Sequence, residues 1–201
     1  MKIPLFPLDV VLFPGAPLPL HIFEERYKEM FAECIASHTP FGVVRAQREG
    51  LAVIGCTAEI VRVLYQYPDG RFDVLTQGVE RFEIEQLDNT RDYLQAEVDL
   101  VPDAGPHASR LEREECVALH FEALELLGAV EPNLSLNLDE PVSYLLASTM
   151  PADLSFQQQL LTLPSDAQRT ERLLAYYRNM LPKLRRGVQA TRMASGNGHV
   201  M

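Results

Sequence analysis

The chain has 201 residues, of which 47% are hydrophobic and 23% charged, and its formal net charge is −10. These are the values of an ordinary globular protein with one or two small domains and a core of useful size. The acidic balance disfavours nonspecific binding to nucleic-acid phosphate, and no run of about 18 apolar residues indicates a membrane span.

The cysteines and the N-terminal residues indicate in which cellular compartment the protein is expected. The three cysteines, Cys34, Cys56 and Cys116, are an odd number at long spacings, which does not indicate a disulfide framework. Asp9 and several prolines interrupt the apolar residues that follow Met1, and this is not the pattern of a signal peptide. We therefore expect a cytoplasmic protein in a reducing environment.

The segment from Ile3 to Glu24 sets five prolines among bulky apolar residues. They are Pro4, Pro7, Pro14, Pro17 and Pro19. Because proline cannot donate to a sheet ladder and is poorly tolerated inside a helix, the segment is expected to form a short edge strand and then cross a surface in extended form. Pro14-Gly15 suits the centre of a type II turn, since proline presets φ and glycine accepts positive φ.

A single helix is predicted after this segment, ending near Ser37. Glu24 and Glu25 fall in its first turn, where negative charge is favoured. An apolar stripe repeats at helical spacing and is expected to pack on one end of the β structure. The stripe consists of Phe23, Tyr27, Met30, Phe31 and Cys34. Binding of unfolded peptide by its aromatic residues is the alternative interpretation.

A period of two dominates the remaining residues up to about Val101, and it predicts antiparallel strands on short turns. The alternation from Leu94 to Leu100 predicts a half-buried strand. Turns are expected at Tyr67–Gly70 and at Gln77-Gly78. Another strand is expected to place one set of side chains on a single face: Val61, Val63, Tyr65 and Tyr67.

After a linker at 101–106 the pattern becomes helical. Helices are predicted at 111–128, 139–148 and 154–163, and a fourth opens at Ser165-Asp166. Pro182 is expected to kink or end the fourth helix. The organisation predicted from these patterns is a β subdomain over 1–101, a helical subdomain over 107–186 and a disordered tail over 187–201.

Several segments together resemble the amino-terminal domain of Lon proteases, the Lon substrate-binding domain family. The matching segments are Phe13–Gly15, Leu18–Tyr27, Gly55–Ile60, Pro68–Gly70, Gly78–Phe82 and Tyr93–Val98. The resemblance extends over most of the chain and is most specific in its first half. It implies an α+β fold: a PUA-like antiparallel β pseudo-barrel with one inserted helix, followed by a C-terminal helical bundle.

The resemblance also implies a noncatalytic role in protein recognition. The sequence contains no G-x-x-x-x-G-K-[ST] phosphate loop, and we do not expect Lys2, Lys28 or Lys183 to be the desolvated base of a serine–lysine dyad. We therefore expect a chain that stops after the recognition domain, is not an enzyme and uses no cofactor. The expected protein-binding residues are Leu18, Leu20, Phe23 and Tyr27. The expected partner is an unfolded or client protein, with a separate protease or a second copy of the chain as alternatives and no nucleic acid or membrane.

A few residues could support metal or acid–base chemistry, but structural roles account for them more simply. Glu112, Cys116 and His120 recur every four residues on one helix face and could bind zinc, but a helix-boundary stripe is the favoured interpretation and no metal is expected. His21 is expected to bond a nearby backbone group. RNA binding, suggested by the PUA-like architecture, and a small hydrolase of unknown type remain the alternative functions.

Overall fold

The computed structural model describes residues 1–129 and 136–196, with side chains described as far as residue 190. The residues of the chain form two compact units, each with most of its contacts inside itself. The first unit comprises Met1–Ala104 and Ala152–Pro164, and the second comprises Gly105–Pro151 together with the residues from Ser165 onward. None of the helices in the described ranges combines the length and apolar composition that a membrane crossing needs.

Strands form most of the first unit. They are β1 (Lys2–Leu8), β2 (Pro17–Ile22), β3 (Phe41–Gln47), β4 (Gly50–Leu51), β5 (Ile54–Gln66), β6 (Phe72–Asp88) and β7 (Gln95–Leu100). The hydrogen-bonded order is β1-β7-β6-β5-β3, and a further pairing of β1 with β3 closes the ring. The β1–β3 pair is parallel, whereas the other pairs of described strands are antiparallel. The predicted α+β fold with an antiparallel pseudo-barrel is confirmed.

Helix α1 (Glu25–Ser37) is inserted between β2 and β3 and packs on the barrel through aromatic rings. The Tyr27 ring meets Phe6 edge-on at 4.5 Å between centroids, and Phe31 lies 4.9 Å from Phe41. Aromatic contacts of this kind add to the stabilisation from apolar burial. A core cluster lies in the same unit: Ile3, Leu5, Val44, Ala52, Phe82, Ala96 and Val98.

Helix α4 (Leu154–Thr162) belongs to the first unit, although it stands among the helices in sequence. The reason is the buried Arg81 on β6, which donates to the carbonyl oxygens of Leu161 at 3.0 Å and Leu163 at 2.9 Å. A guanidinium satisfies carbonyls at the end of a helix well, because those groups have no partner within the helix. Gln158 adds a hydrogen bond of 2.9 Å to the carbonyl of Ile54 on β5.

Two glycines are required for different reasons: Gly15 by a turn with positive φ, and Gly78 by a neighbouring backbone that leaves no room for a Cβ. The predicted Pro14-Gly15 turn is confirmed: Gly15 has φ +80°, and the Ala16 amide donates to the Phe13 carbonyl at 3.0 Å. The turn predicted at Gln77-Gly78 is wrong, because β6 runs through it without a break. Gly78 is needed there because a Cβ would lie 2.2 Å from the Phe13 carbonyl oxygen.

The second unit contains three helices among its described residues: α2 (Arg110–Leu127), α3 (Ser143–Thr149) and α5 (Asp166–Gly196). The sequence places α2 closely, since a Ser109–Glu112 capping box opens it and Gly128 at φ +64° ends it. Helix α3 begins later than predicted, after Pro141.

Helix α5 does not end at Pro182, one of the two predicted effects of this proline, because it passes through Pro182 and continues to Gly196. Proline inside a helix costs about 3 kcal/mol relative to alanine. Burial of Tyr177 and Leu181 just before the proline offsets this cost. The ion pairs Arg178–Glu115 at 2.7 Å and Arg185–Glu122 at 2.6 Å join α5 to α2 on both sides of the proline. The predicted disordered tail is therefore helical over 187–196, and residues 197–201 lie outside the described residues.

Candidate functional site

Strands β2, β6 and β5 lie side by side in the first unit and form a three-stranded ribbon. Residues directly opposite each other in such a ladder share a face. Phe72, Val74 and Thr76 of β6 are buried and define the inner face. Asp73 lies between them in sequence and therefore points to the outer face, with His21 opposite it on β2 and Tyr65 opposite it on β5.

The outer face is organised around the Asp73 carboxylate. The His21 Nδ1 atom lies 2.6 Å from Asp73 Oδ1, and the Tyr67 hydroxyl donates to Oδ2 at 2.8 Å. These two hydrogen bonds hold the pKa of Asp73 below its usual value, because they favour the ionised carboxylate. The same carboxylate raises the pKa of Tyr67. One acidic group on β6 thus fixes the side chains of His21 on β2 and of Tyr67, which directly follows β5.

Aromatic rings surround this carboxylate and remain accessible. Phe23 is 61% exposed and stacks on His21 at 5.9 Å between centroids, while Tyr65 is 56% exposed and lies 4.6 Å from Tyr67. Exposed aromatic side chains in one patch are typical of protein interaction surfaces. We call His21, Phe23, Tyr65, Tyr67 and Asp73 the aromatic face.

Charges near the aromatic face are paired within the chain. The Arg71 guanidinium lies 4.5 Å from the centre of the Tyr67 ring and forms an ion pair with Asp69 at 2.8 Å. Asp73 already accepts from His21 and Tyr67. On a chain with a net charge of −10, this is a surface suited to an uncharged, aromatic or aliphatic ligand.

The binding residues predicted from the sequence occupy three kinds of position. Leu18 and Leu20 lie opposite buried residues of β6, so they face inward and are half-buried. Tyr27 is 8% exposed, and burial raises the pKa of its hydroxyl. Phe23 lies on the aromatic face and is openly accessible.

Sequence reasoning missed Asp73 and assigned His21 a backbone partner, which is wrong, because its partner is the Asp73 side chain. It also placed Val63 and Tyr65 on one face. A β-bulge between them shifts the register, so Val63 lies opposite Val74 on the inner face and Tyr65 opposite Asp73 on the outer face. The available signal was the density of aromatic residues around the Tyr67–Gly70 turn.

The three residues considered for zinc have other roles in the second unit. Glu112 accepts from the backbone and side chain of Ser109, which caps α2. His120 is buried, with Nδ1 2.7 Å from the Tyr177 hydroxyl and Nε2 3.2 Å from Thr149 Oγ1. Within the described ranges, no three histidine, cysteine or carboxylate side chains gather as metal ligands would.

Comparison with known families identifies a match over residues 2–178 to the model described as the ATP-dependent protease La (LON) substrate-binding domain. The chain is 32% identical over 190 residues to the Lon protease of Parabacteroides distasonis, covering 86% of this chain and 23% of that protein. It is also 32% identical to Lon protease 2 of Herpetosiphon aurantiacus, again covering 86% and 23%. The chain thus spans about a quarter of the length of these curated relatives.

Two solved structures resemble the fold. A Lon N-terminal domain protein from Xanthomonas campestris matches with a TM-score of 0.68 and 26% identity, over 88% of this chain and 98% of that one. The N-terminal domain of a Mycobacterium avium complex Lon protease matches with a TM-score of 0.62 at 16% identity, over the same shares, and supports the fold.

Proposed function

The chain belongs to the LON substrate-binding domain family, and from this premise we propose that it binds extended apolar segments of unfolded client proteins and performs no chemistry on them. The aromatic face is the observation that carries the proposal. Its rings are exposed at the end of a β ribbon, and its charges are paired within the chain. Aromatic side chains bring large contact areas at low entropic cost, so they dominate many binding surfaces.

Each residue of the proposed surface has a defined part. Phe23 and Tyr65 offer open rings to the client, whereas Asp73 holds His21 and Tyr67 in place beside them. The four residues expected from the sequence have different proposed roles. Phe23 contacts the client, whereas Leu18 and Leu20 support the ribbon from its inner face and Tyr27 anchors α1 by packing on Phe6.

The burial of the cysteine thiols and the hydrogen-bond partners of His21 support the noncatalytic part of the proposal. Cys34, Cys56 and Cys116 are buried free thiols, and burial raises the pKa of Cys56 and of Cys116 to about 12, so none is a ready nucleophile. His21 is oriented by a carboxylate, but within the described ranges no serine or cysteine bonds its other nitrogen, as a nucleophile would in a catalytic triad. Free thiols also suit the reducing cytoplasm that we propose as its location.

Binding of a permanently unfolded chain tests the proposal. Fluorescein-labelled, reduced and carboxymethylated lysozyme is titrated with the protein and followed by anisotropy, with native lysozyme as a competitor that should not displace it. A variant carrying Phe23→Ser and Tyr65→Ser should bind at least about 5-fold more weakly, because two anchors are lost.

Leu111→Ser is the matched control, since Leu111 is 78% exposed in the second unit and lies outside the proposed surface. The proposal fails if the unmodified protein does not bind the unfolded chain, or if the double variant binds as the control does. Release of peptide fragments from casein by the purified chain alone would contradict its noncatalytic part.

A further inference from the structure

One edge of the β ribbon lies open beside the aromatic face. β3 pairs with β5 where Phe41–Val43 lie opposite Cys56–Ala58, and this pairing ends there. From Glu59 to Gln66, β5 pairs with β6 on one side, and no described strand pairs with its other side. An unpaired edge presents backbone donors and acceptors that can accept a further strand.

The two edges of the ribbon are protected to different degrees. β2, at one edge, carries Pro17 and Pro19, and proline blocks pairing because it has no amide hydrogen. β5, at the other edge, contains no proline and reads Ile60-Val61-Arg62-Val63-Leu64-Tyr65, a run rich in residues that favour strands. The β5 edge is therefore the one that can accept backbone hydrogen bonds from another chain.

A groove runs along this edge. It has a volume of about 330 Å³ and lies between the C-terminal end of α1 and residues 59–63 of β5. Ile35 and Ile60 contribute half-buried apolar surface to it, and His38 turns the chain at its end with φ +54°. A helix beside an open strand edge is the arrangement in which PDZ and PTB domains bind an extended peptide as an added strand.

The irregular backbone of the β5 edge favours a single unfolded segment over the sheet edge of a second copy as its partner. Register shifts between Ile60 and Arg62 and between Val63 and Tyr65 kink β5, and bulges of this kind hinder flat pairing with the sheet edge of a second folded copy. A single unfolded segment can adapt to a kinked edge and enter a groove walled by a helix. Glu59 and Arg62 line the groove and form no ion pair among the described residues, so they can pair with charged side chains that flank the apolar residues of such a segment without requiring them.

We propose that an extended segment of the client chain adds to β5 as a further strand, between residues 59–66 and the C-terminal end of α1. This inference rests on the proposed function, and it adds a backbone-mediated site to the side-chain contacts of the aromatic face. Because backbone hydrogen bonds are common to all sequences, the β5 edge supplies sequence-tolerant affinity, whereas the aromatic face supplies the preference for apolar segments.

Hydrogen exchange and edge variants test the inference with labelled carboxymethylated lysozyme as the client. Within residues 59–66, the amides that point away from β6 should exchange at least about 5-fold more slowly when the client is bound, since the new ladder hydrogen bonds protect them. Val61→Lys with Leu64→Lys places charges at side chains that are 57% and 47% exposed, and should weaken binding at least about 5-fold. Leu111→Lys with Leu127→Lys, at exposed positions of α2, is the control for two added charges.

The outcomes separate this inference from the proposed function. If the unmodified protein does not bind the client, both fail. If Phe23→Ser with Tyr65→Ser weakens binding but the lysine pair does not, or if the amides of residues 59–66 are not protected in the complex, the strand-addition site is overturned while the aromatic face stands. Weakened binding together with amide protection supports the site, provided the lysine pair keeps the circular dichroism spectrum of the unmodified protein.

Discussion

Each unit contains a cluster built around a histidine and a tyrosine, and the two clusters lie in opposite surroundings. In the second unit His120 and Tyr177 are fully buried, and Thr149 bonds the other imidazole nitrogen. In the first unit the His21 side chain is 45% exposed, and Asp73 links it to Tyr67. The comparison shows that the same residue types are enclosed in the second unit and left accessible to solvent in the first.

Burial fixes the buried cluster in one protonation state. It lowers the pKa of His120 to about 4 and raises the pKa of Tyr177. The Thr149 hydroxyl donates to the Leu145 carbonyl at 2.9 Å, so its oxygen accepts from Nε2–H of His120 and the Tyr177 hydroxyl donates to Nδ1. The neutral imidazole is fully satisfied, and we interpret this cluster as structural. In the exposed cluster the same residue types remain accessible to a partner.

The largest expected effect is the loss of the buried imidazole. His120→Ala should lower the free energy of unfolding by about 3 kcal/mol, because it leaves a cavity and an unpaired Tyr177 hydroxyl. His21→Ala should have a much smaller effect, since water replaces its contacts. Urea unfolding followed by far-UV circular dichroism and tyrosine fluorescence measures both, because the chain has no tryptophan. Equal losses in the two variants would remove the contrast between the clusters.

The next largest effect should be on how the free energy of unfolding changes with pH through His120. Below pH 6.5 the unfolded chain protonates His120, whereas the folded chain does not until pH approaches 4. Stability should therefore fall by up to about 3 kcal/mol as pH drops through this window, and change no further through this residue below it. His120→Gln cannot titrate, so the difference between the two proteins isolates the contribution. Parallel pH profiles would show that folding leaves the pKa of His120 unshifted, against the effect of its burial.

Removing one hydroxyl should have an intermediate effect in the buried cluster. Tyr177→Phe deletes the donor to His120 Nδ1 and should cost about 1–2 kcal/mol of unfolding free energy. Tyr67→Phe deletes a hydrogen bond to the exposed Asp73 carboxylate and should leave the urea midpoint unchanged. The pair of tyrosine variants is matched in chemistry and differs in burial. A shift of the midpoint by Tyr67→Phe as large as that by Tyr177→Phe would contradict the assignment of roles.

The smallest effect on stability and the most specific effect on binding are expected from Asp73→Asn. Asparagine keeps the size of the side chain but loses the charge that orients both His21 and Tyr67. The urea midpoint at neutral pH should stay unchanged, while the affinity for carboxymethylated lysozyme should fall about 3-fold. Asp69→Asn, at an exposed carboxylate paired with Arg71, is the matched control. Equal affinity for both variants would remove Asp73 from the proposed site.

Part of the candidate site was accessible from sequence. The Tyr67–Gly70 turn and the strand leading into it follow from local turn chemistry, and Gly70 indeed has φ +83°. Phe23 is expected both in the helical stripe that packs on the β structure and as a binding residue. Its place in the stripe is wrong, because it precedes α1 and is 61% exposed, and its binding role stays a prediction. The Asp73 hydrogen bonds could not be predicted, because His21 and Asp73 are 52 residues apart and meet only through the register of β2 on β6.

The sequence by itself determined the succession from a β half to a helical half, the Pro14-Gly15 turn and the Gly128 end of α2, because hydrophobic period and turn chemistry act over a few neighbouring residues. Only the tertiary structure decided that β6 runs through Gly78, that α5 runs through Pro182, and that a bulge turns Tyr65 onto the outer face. The first two depend on partners far away in sequence, the Phe13 carbonyl and helix α2, and the third on the pairing of β5 with β6. Packing against such partners overrides local preference wherever it contributes more free energy than the local rule costs.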